Sequence, residues 1–181
     1  MAPALAYGGG DIATGFASGL LHPVSVPVHV VALIGLGLIA GRNFSAARAA
    51  IIVAFALGLA VGLGAIAWGV GETPASDVLL VSTTLCGLIT ASALTVPVSL
   101  AALVALVSGI ALGLDSPPES ILLGEAVAML IGTACGGIAA LTVIAFLASV
   151  VARRWQGIPL RVSGSWVAAI AILVLALRWA A

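Results

Sequence analysis

The stretch VLLVSTTLCGLITASALTVPVSLAALVALVSGIALGL, residues 78–114, runs for 37 residues without a charge. As one helix it would extend about 55 Å at 1.5 Å per residue, well beyond the roughly 30 Å of hydrocarbon in a bilayer. Pro97 divides it, because proline cannot continue the helical hydrogen-bond ladder. The stretch therefore reads as two membrane spans meeting near Thr95-Val96-Pro97. Composition agrees: 63% of the chain is hydrophobic and 7% charged, where soluble domains hold about 45–50% and about 25%. Six acids and six arginines cannot clothe a soluble surface for 181 residues. Lipid can. The expected fold is all-α, a polytopic transmembrane helix bundle forming one domain over residues 1–181, with the bilayer as its main partner.

Outward from this stretch, charges and turn-formers punctuate further apolar segments. Residues 11–21 are apolar but too short to cross alone, and end at His22-Pro23. Residues 28–41 are apolar and stop at Arg42-Asn43. Together they read as one membrane element: a half-helix, a break, then the rest of the crossing. Further spans are expected over about 46–70, 120–151 and 163–177, giving about six crossings. Ser116-Pro117-Pro118-Glu119 has the form of a helix start, with a serine N-cap, proline at the first helical position and a capping-box glutamate. Thr73-Pro74 offers a similar start for the span beginning near Asp77.

The charges assign an orientation. Arg42 and Arg48 fall between the first and second spans, and Arg153, Arg154 and Arg161 between the fifth and sixth. Glu72, Asp77, Asp115 and Glu119 fall in the two intervening connections. Six crossings put all five arginines on one side and these acids on the other. The positive-inside rule makes the arginine side cytoplasmic and both termini external. Arg178 is a minor exception. Trp68 and Trp179 belong near the outer boundary and Trp155 and Trp166 near the inner one, as an aromatic belt requires. No typical secretory signal opens the chain; the expectation is a missing leader or insertion directed by the first hydrophobic segment.

Several function classes lose support. With a formal net charge of zero and no lysine, nothing tracks a nucleic-acid backbone. Cys86 and Cys135 sit in apolar stretches and read as small membrane-buried residues, not as a disulfide or zinc pair. No nucleophile–base pair, phosphate loop or cofactor motif suggests an enzyme. Gly35-Leu36-Gly37 lies inside a span rather than after a strand, so it is no dinucleotide loop. Asn43-Phe44-Ser45 matches a glycosylation sequon on the wrong side. Glycine pairs four apart (Gly15/Gly19, Gly37/Gly41, Gly58/Gly62, Gly109/Gly113, Gly132/Gly136) mark faces where helices approach closely in lipid. They serve packing within the bundle or contacts in an oligomer.

His22-Pro23-Val24-Ser25-Val26-Pro27-Val28-His29 carries the chemistry. It holds both histidines of the chain. Seven apart, they would share one face of a helix, and two prolines loosen the backbone between them. Broken helix at membrane depth is tolerated only when buried in protein or lining a cavity, and ionisable residues there suggest function. Imidazole suits nickel, copper, zinc or iron, and a lone histidine also serves as an axial haem ligand. The plainer reading is that the histidines bond carbonyls freed by the prolines. Glu125 is the only acid well inside an expected span. Counting residues puts it about 7 Å deep and His29 about 10 Å below the outer surface. A shared depth would allow a His22–His29–Glu125 site near the outer face; the alternative, and the plainer reading, is that Glu125 caps its helix or pairs with a partner subunit.

The segment from Gly15-Phe16 through Gly19, His22-Pro23 and His29 to Gly37-Leu38 resembles the signature of HupE/UreJ proteins, roughly G-F-x-x-G-x-x-H-P-L-x-G-x-D-H-L-L-A-M-x-x-x-G. The short length, about six spans and glycine-rich helices are similar too. The resemblance implies a small bacterial inner-membrane protein, associated with hydrogenase or urease maturation and passing nickel or cobalt. It departs at Val28, where the family has an aspartate, and at Val26, where it has a glycine. A second family cluster, H-G-x-A-H-G-x-E-like, matches Ser108-Gly109-Ile110-Ala111-Leu112-Gly113-Leu114-Asp115 in frame but without histidine. The resemblance thus carries over His22 and His29 as metal residues, with Asp115 at the acid position. Two functions are expected from it: a nickel or cobalt permease with a reduced ligand set, or a non-transporting accessory subunit of a larger membrane complex.

Overall fold

The computed structural model describes residues 12–70, 74–118 and 122–180. Among them the regular structure is entirely helical: α1 (Ile12–Ser25), α2 (Pro27–Arg42), α3 (Ser45–Ala67), α4 (Ala75–Ala91), α5 (Val98–Leu114), α6 (Leu123–Arg154) and α7 (Ile158–Ala180). The uncharged stretch divides as expected, with α4 ending before and α5 starting after Thr95-Val96-Pro97. Helices α3, α6 and α7 are long and apolar enough to cross a membrane. The 17 residues each of α4 and α5 reach about 25 Å, near the lower limit for a crossing. Helices α1 and α2 are bent by 69° at Val26 and form the broken first element.

Directions of the packed pairs support six crossings independently of hydropathy. On α1 and α6, Gly15 lies against Glu125, Gly19 against Met129 and Leu20 against Gly136. Continuing along α6, Gly37 of α2 meets Ile144 and Gly41 meets Ala148. The numbers rise together, so the broken element runs parallel to α6. Likewise Phe55 and Leu59 of α3 meet Gly109 and Gly113 of α5, and Gly35 and Arg42 of α2 meet Cys86 and Ile89 of α4. Helices α4 and α7 run antiparallel: Gly87 faces Ala168, Ala91 receives Arg161 and Asp77 receives Arg178. One alternation satisfies every pair, with the broken element, α4 and α6 running one way and α3, α5 and α7 the other.

The largest side chains fully enclosed by this packing include Phe55, Leu33, Leu36, Ile51, Leu59, Leu112 and Leu141. Glycine lets the backbones close on them. A Cβ on Gly58 would stand 2.1 Å from the Leu106 carbonyl oxygen, and one on Gly19 2.0 Å from that of Met129. Both are impossible contacts with backbone, so α3–α5 and α1–α6 require glycine there.

The two ends differ in charge as the sequence indicates. Arg42, which donates to Ile89 and Leu94 carbonyls, and Arg161, which donates to that of Ala91, cover the C-terminal end of α4. The outlying Arg178 is explained at the opposite end, where it pairs with Asp77 at 3.2 Å and bonds Ser76. Trp179 donates to the same carboxylate. All four tryptophans are exposed.

Two local readings need correction. Ser116 does not open α6, which starts at Leu123; its hydroxyl donates to Leu112 and closes α5. Pro23 does not end the half-helix, since α1 continues to Ser25. The Asn43 side-chain amide donates to Ile39 at the end of α2. The Thr73 cap and the Glu72 and Glu119 positions lie outside the described residues.

Candidate metal site at the helix break

Pro27 occupies the first turn of α2, where its missing N–H costs nothing and its fixed φ favours the helix. The loss falls on the preceding segment, which cannot receive that N–H. The break is closed locally: Val26 N–H and the Ser25 hydroxyl both donate to the His22 carbonyl, at 3.3 and 3.0 Å, and Val30 N–H reaches Val26 at 3.1 Å. These bonds give the His22 and Val26 carbonyls donors across the break.

The bend gathers the histidines. Seven residues on a straight helix separate by about 10 Å. Here the ring centroids of His22 and His29 lie 5.4 Å apart, edge to face. His29, in the first turn of α2, is completely buried, and its Nε2 lies 3.0 Å from Asp115 Oδ2. Asp115 follows the last turn of α5, its N–H bonded to the Ala111 carbonyl at 2.9 Å. With 28% of its side chain exposed, it links the buried imidazole to the surface. An ionised carboxylate only accepts, so Nε2 donates. In the neutral imidazole Nδ1 is then a lone pair, buried and with no hydrogen-bond partner among the described residues.

The expected site residues therefore separate. His29 meets Asp115 through Nε2 and lies edge to face with the His22 ring. Glu125 lies half-buried in the first turn of α6, against Gly15. That level precedes His22 by seven residues, about 10 Å along α1. Among the described residues, no three His, Cys, Asp or Glu side chains form a group able to hold a metal ion. Cys86 and Cys135 are free thiols, buried and exposed respectively.

Sequence reading missed a second polar contact. Ser108 donates to Ser82 at 2.9 Å across α5 and α4, both fully buried. Ser108 lies two turns before Asp115 on α5, and its place in the degenerate second cluster was the available signal.

The HupE / UreJ protein family matches residues 1–174. The chain belongs to the HupE/UreJ family. No curated protein and no solved structure matched the chain.

Proposed function

We propose that this HupE/UreJ protein is a permease for nickel or cobalt in the bacterial inner membrane, with the arginine end cytoplasmic and both termini outside. The observation that carries the proposal is the pairing of the buried His29 imidazole with the partly exposed Asp115, beside the proline break between the chain's two histidines. A metal-binding imidazole commonly donates its other N–H to a carboxylate, which fixes the tautomer and aims the free nitrogen. Asp115 fits that role better than the role of direct ligand. His29 Nδ1 supplies the lone pair, with the His22 ring beside it. A divalent cation held by so few protein donors keeps part of its hydration and leaves readily, which suits passage more than storage.

The test is metal binding by the purified protein, by calorimetry with nickel, cobalt and zinc, followed by uptake into proteoliposomes. Stoichiometric binding is expected, lost in His22→Ala/His29→Ala. Asp115→Asn should weaken it by about 10–100-fold, as loss of an orienting carboxylate does. Absence of binding in the unsubstituted protein sinks the permease reading.

A second reading has its own support in the reduced donor set, since Val28, Ser108 and Leu112 stand at family positions for an acid and histidines. On that reading the protein is a non-transporting accessory subunit, or a homo-oligomer, in a larger membrane assembly. Stable co-purification with other subunits, without bound metal, distinguishes it.

A further inference from the structure

At the arginine end, the turn from α2 to α3 packs beside the last turns of α6. It leaves a cavity of about 550 Å³, whose lining includes Arg42, Asn43, Ser45, Arg48, Ser149 and Arg153. Three arginines thus share one cavity, and no carboxylate offsets them. Residues 23–71 and 126–181, which build the cavity, contain no Asp or Glu. The described acids Asp77, Asp115 and Glu125 belong to the other end. The donors are unequally engaged. Arg42 spends its two terminal nitrogens on the Ile89 and Leu94 carbonyls. Arg48 donates one, at 3.3 Å, to the Asn43 carbonyl, while its buried Nε has no hydrogen-bond partner among the described residues. Helix α3 starts at the same wall, at Ser45, without a side-chain cap. Its first amides and positive dipole end add to the guanidinium charge.

Such an arrangement calls for an oxyanion with several acceptors. Guanidinium suits phosphate because its planar fork matches two oxygens at once. The cavity lies where the chain turns between spans. Phe44, 69% exposed, stands on its rim and offers an apolar surface beside the charge. Basic pockets between membrane helices are suited to anionic lipid head groups.

We propose that this cavity binds a phosphate group, as the headgroup phosphodiester of an anionic phospholipid, through Arg48, Arg153 and the N-terminus of α3. This stands apart from the metal reading, which concerns the opposite end of the bundle.

The experiment is native mass spectrometry of the full chain in detergent, titrated with phosphatidylglycerol or phosphatidylcholine, with and without inorganic phosphate. Retention of phosphatidylglycerol over phosphatidylcholine is expected. Arg48→Gln should weaken it about tenfold, the loss of one charge-assisted hydrogen bond. Arg153→Gln, on the exposed end of α6, repeats the test if Arg48→Gln does not fold. Arg154→Gln removes the same charge from the same end without touching the cavity, and retention should persist. Competition by inorganic phosphate supports the site and assigns it to free phosphate as well. Absence of competition with lipid selectivity intact assigns it to lipid. Equal losses in Arg154→Gln and Arg48→Gln, or no preference for the anionic lipid and no phosphate effect, overturn the proposal.

Discussion

His29 is enclosed entirely by protein, and one of its nitrogens depends on a residue 86 positions away. Removing Asp115 leaves the buried imidazole without its acceptor. Asp115→Ala should therefore destabilise the detergent-solubilised protein by about 1–3 kcal/mol, the cost of an orphaned buried donor. A lowered thermal midpoint checks this separately from metal binding. Asp115→Asn retains an acceptor oxygen and should lose less stability while still impairing the metal. The histidines were legible in sequence because the chain has only two, and the prolines because each acts on the backbone locally. The Asp115 partnership was reachable only through a family pattern. The Ser108–Ser82 contact was signalled only by the place of Ser108 in the degenerate second cluster, which names no partner, because hydroxyls in membrane helices often bond their own backbone, as Thr83 does with Leu79.

At the scale of helices, small residues set the distances. Replacing Gly58 by leucine forces a side chain into the Leu106 carbonyl, where nothing flexible can yield. Overpacking of this kind costs about 1–3 kcal/mol or more, so Gly58→Leu should lower the thermal midpoint or abolish folding. Gly64 lies on the same helix, and nothing stands within 4 Å of the place a Cβ would take there. Gly64→Ala should be neutral or stabilise by up to about 1 kcal/mol, the helix preference for alanine over glycine. Equal losses from both substitutions would contradict the α3–α5 interface. The glycine spacing was visible in sequence, and it named the faces. It left open which helices those faces join, because the same spacing serves any close crossing.

Across the whole molecule, charge segregation and helix direction agree. Five arginines gather at one end, and Asp77 and Asp115 lie with Arg178 at the other. In a Cys86→Ala/Cys135→Ala background, an impermeant thiol reagent added outside intact cells should label a cysteine at Ser76 and spare one at Asn43. The reverse pattern would invert the orientation. Arg178, an exception when charges are counted along the chain, pairs with Asp77 in the fold, so its charge is locally compensated.

Composition and charge spacing alone determined an all-helical membrane bundle of about six crossings, because a bilayer leaves backbone polar groups few ways to be satisfied and makes ionisable residues costly in its core. They also located the break, since proline acts on the backbone locally. Only the tertiary structure decided that α1 and α2 both run along α6, that a 69° bend brings two imidazoles together, and that Asp115 rather than Glu125 meets His29. Those outcomes depend on the direction and register of helices distant in sequence. Apolar periodicity carries little of that information when lipid and protein interior are equally apolar.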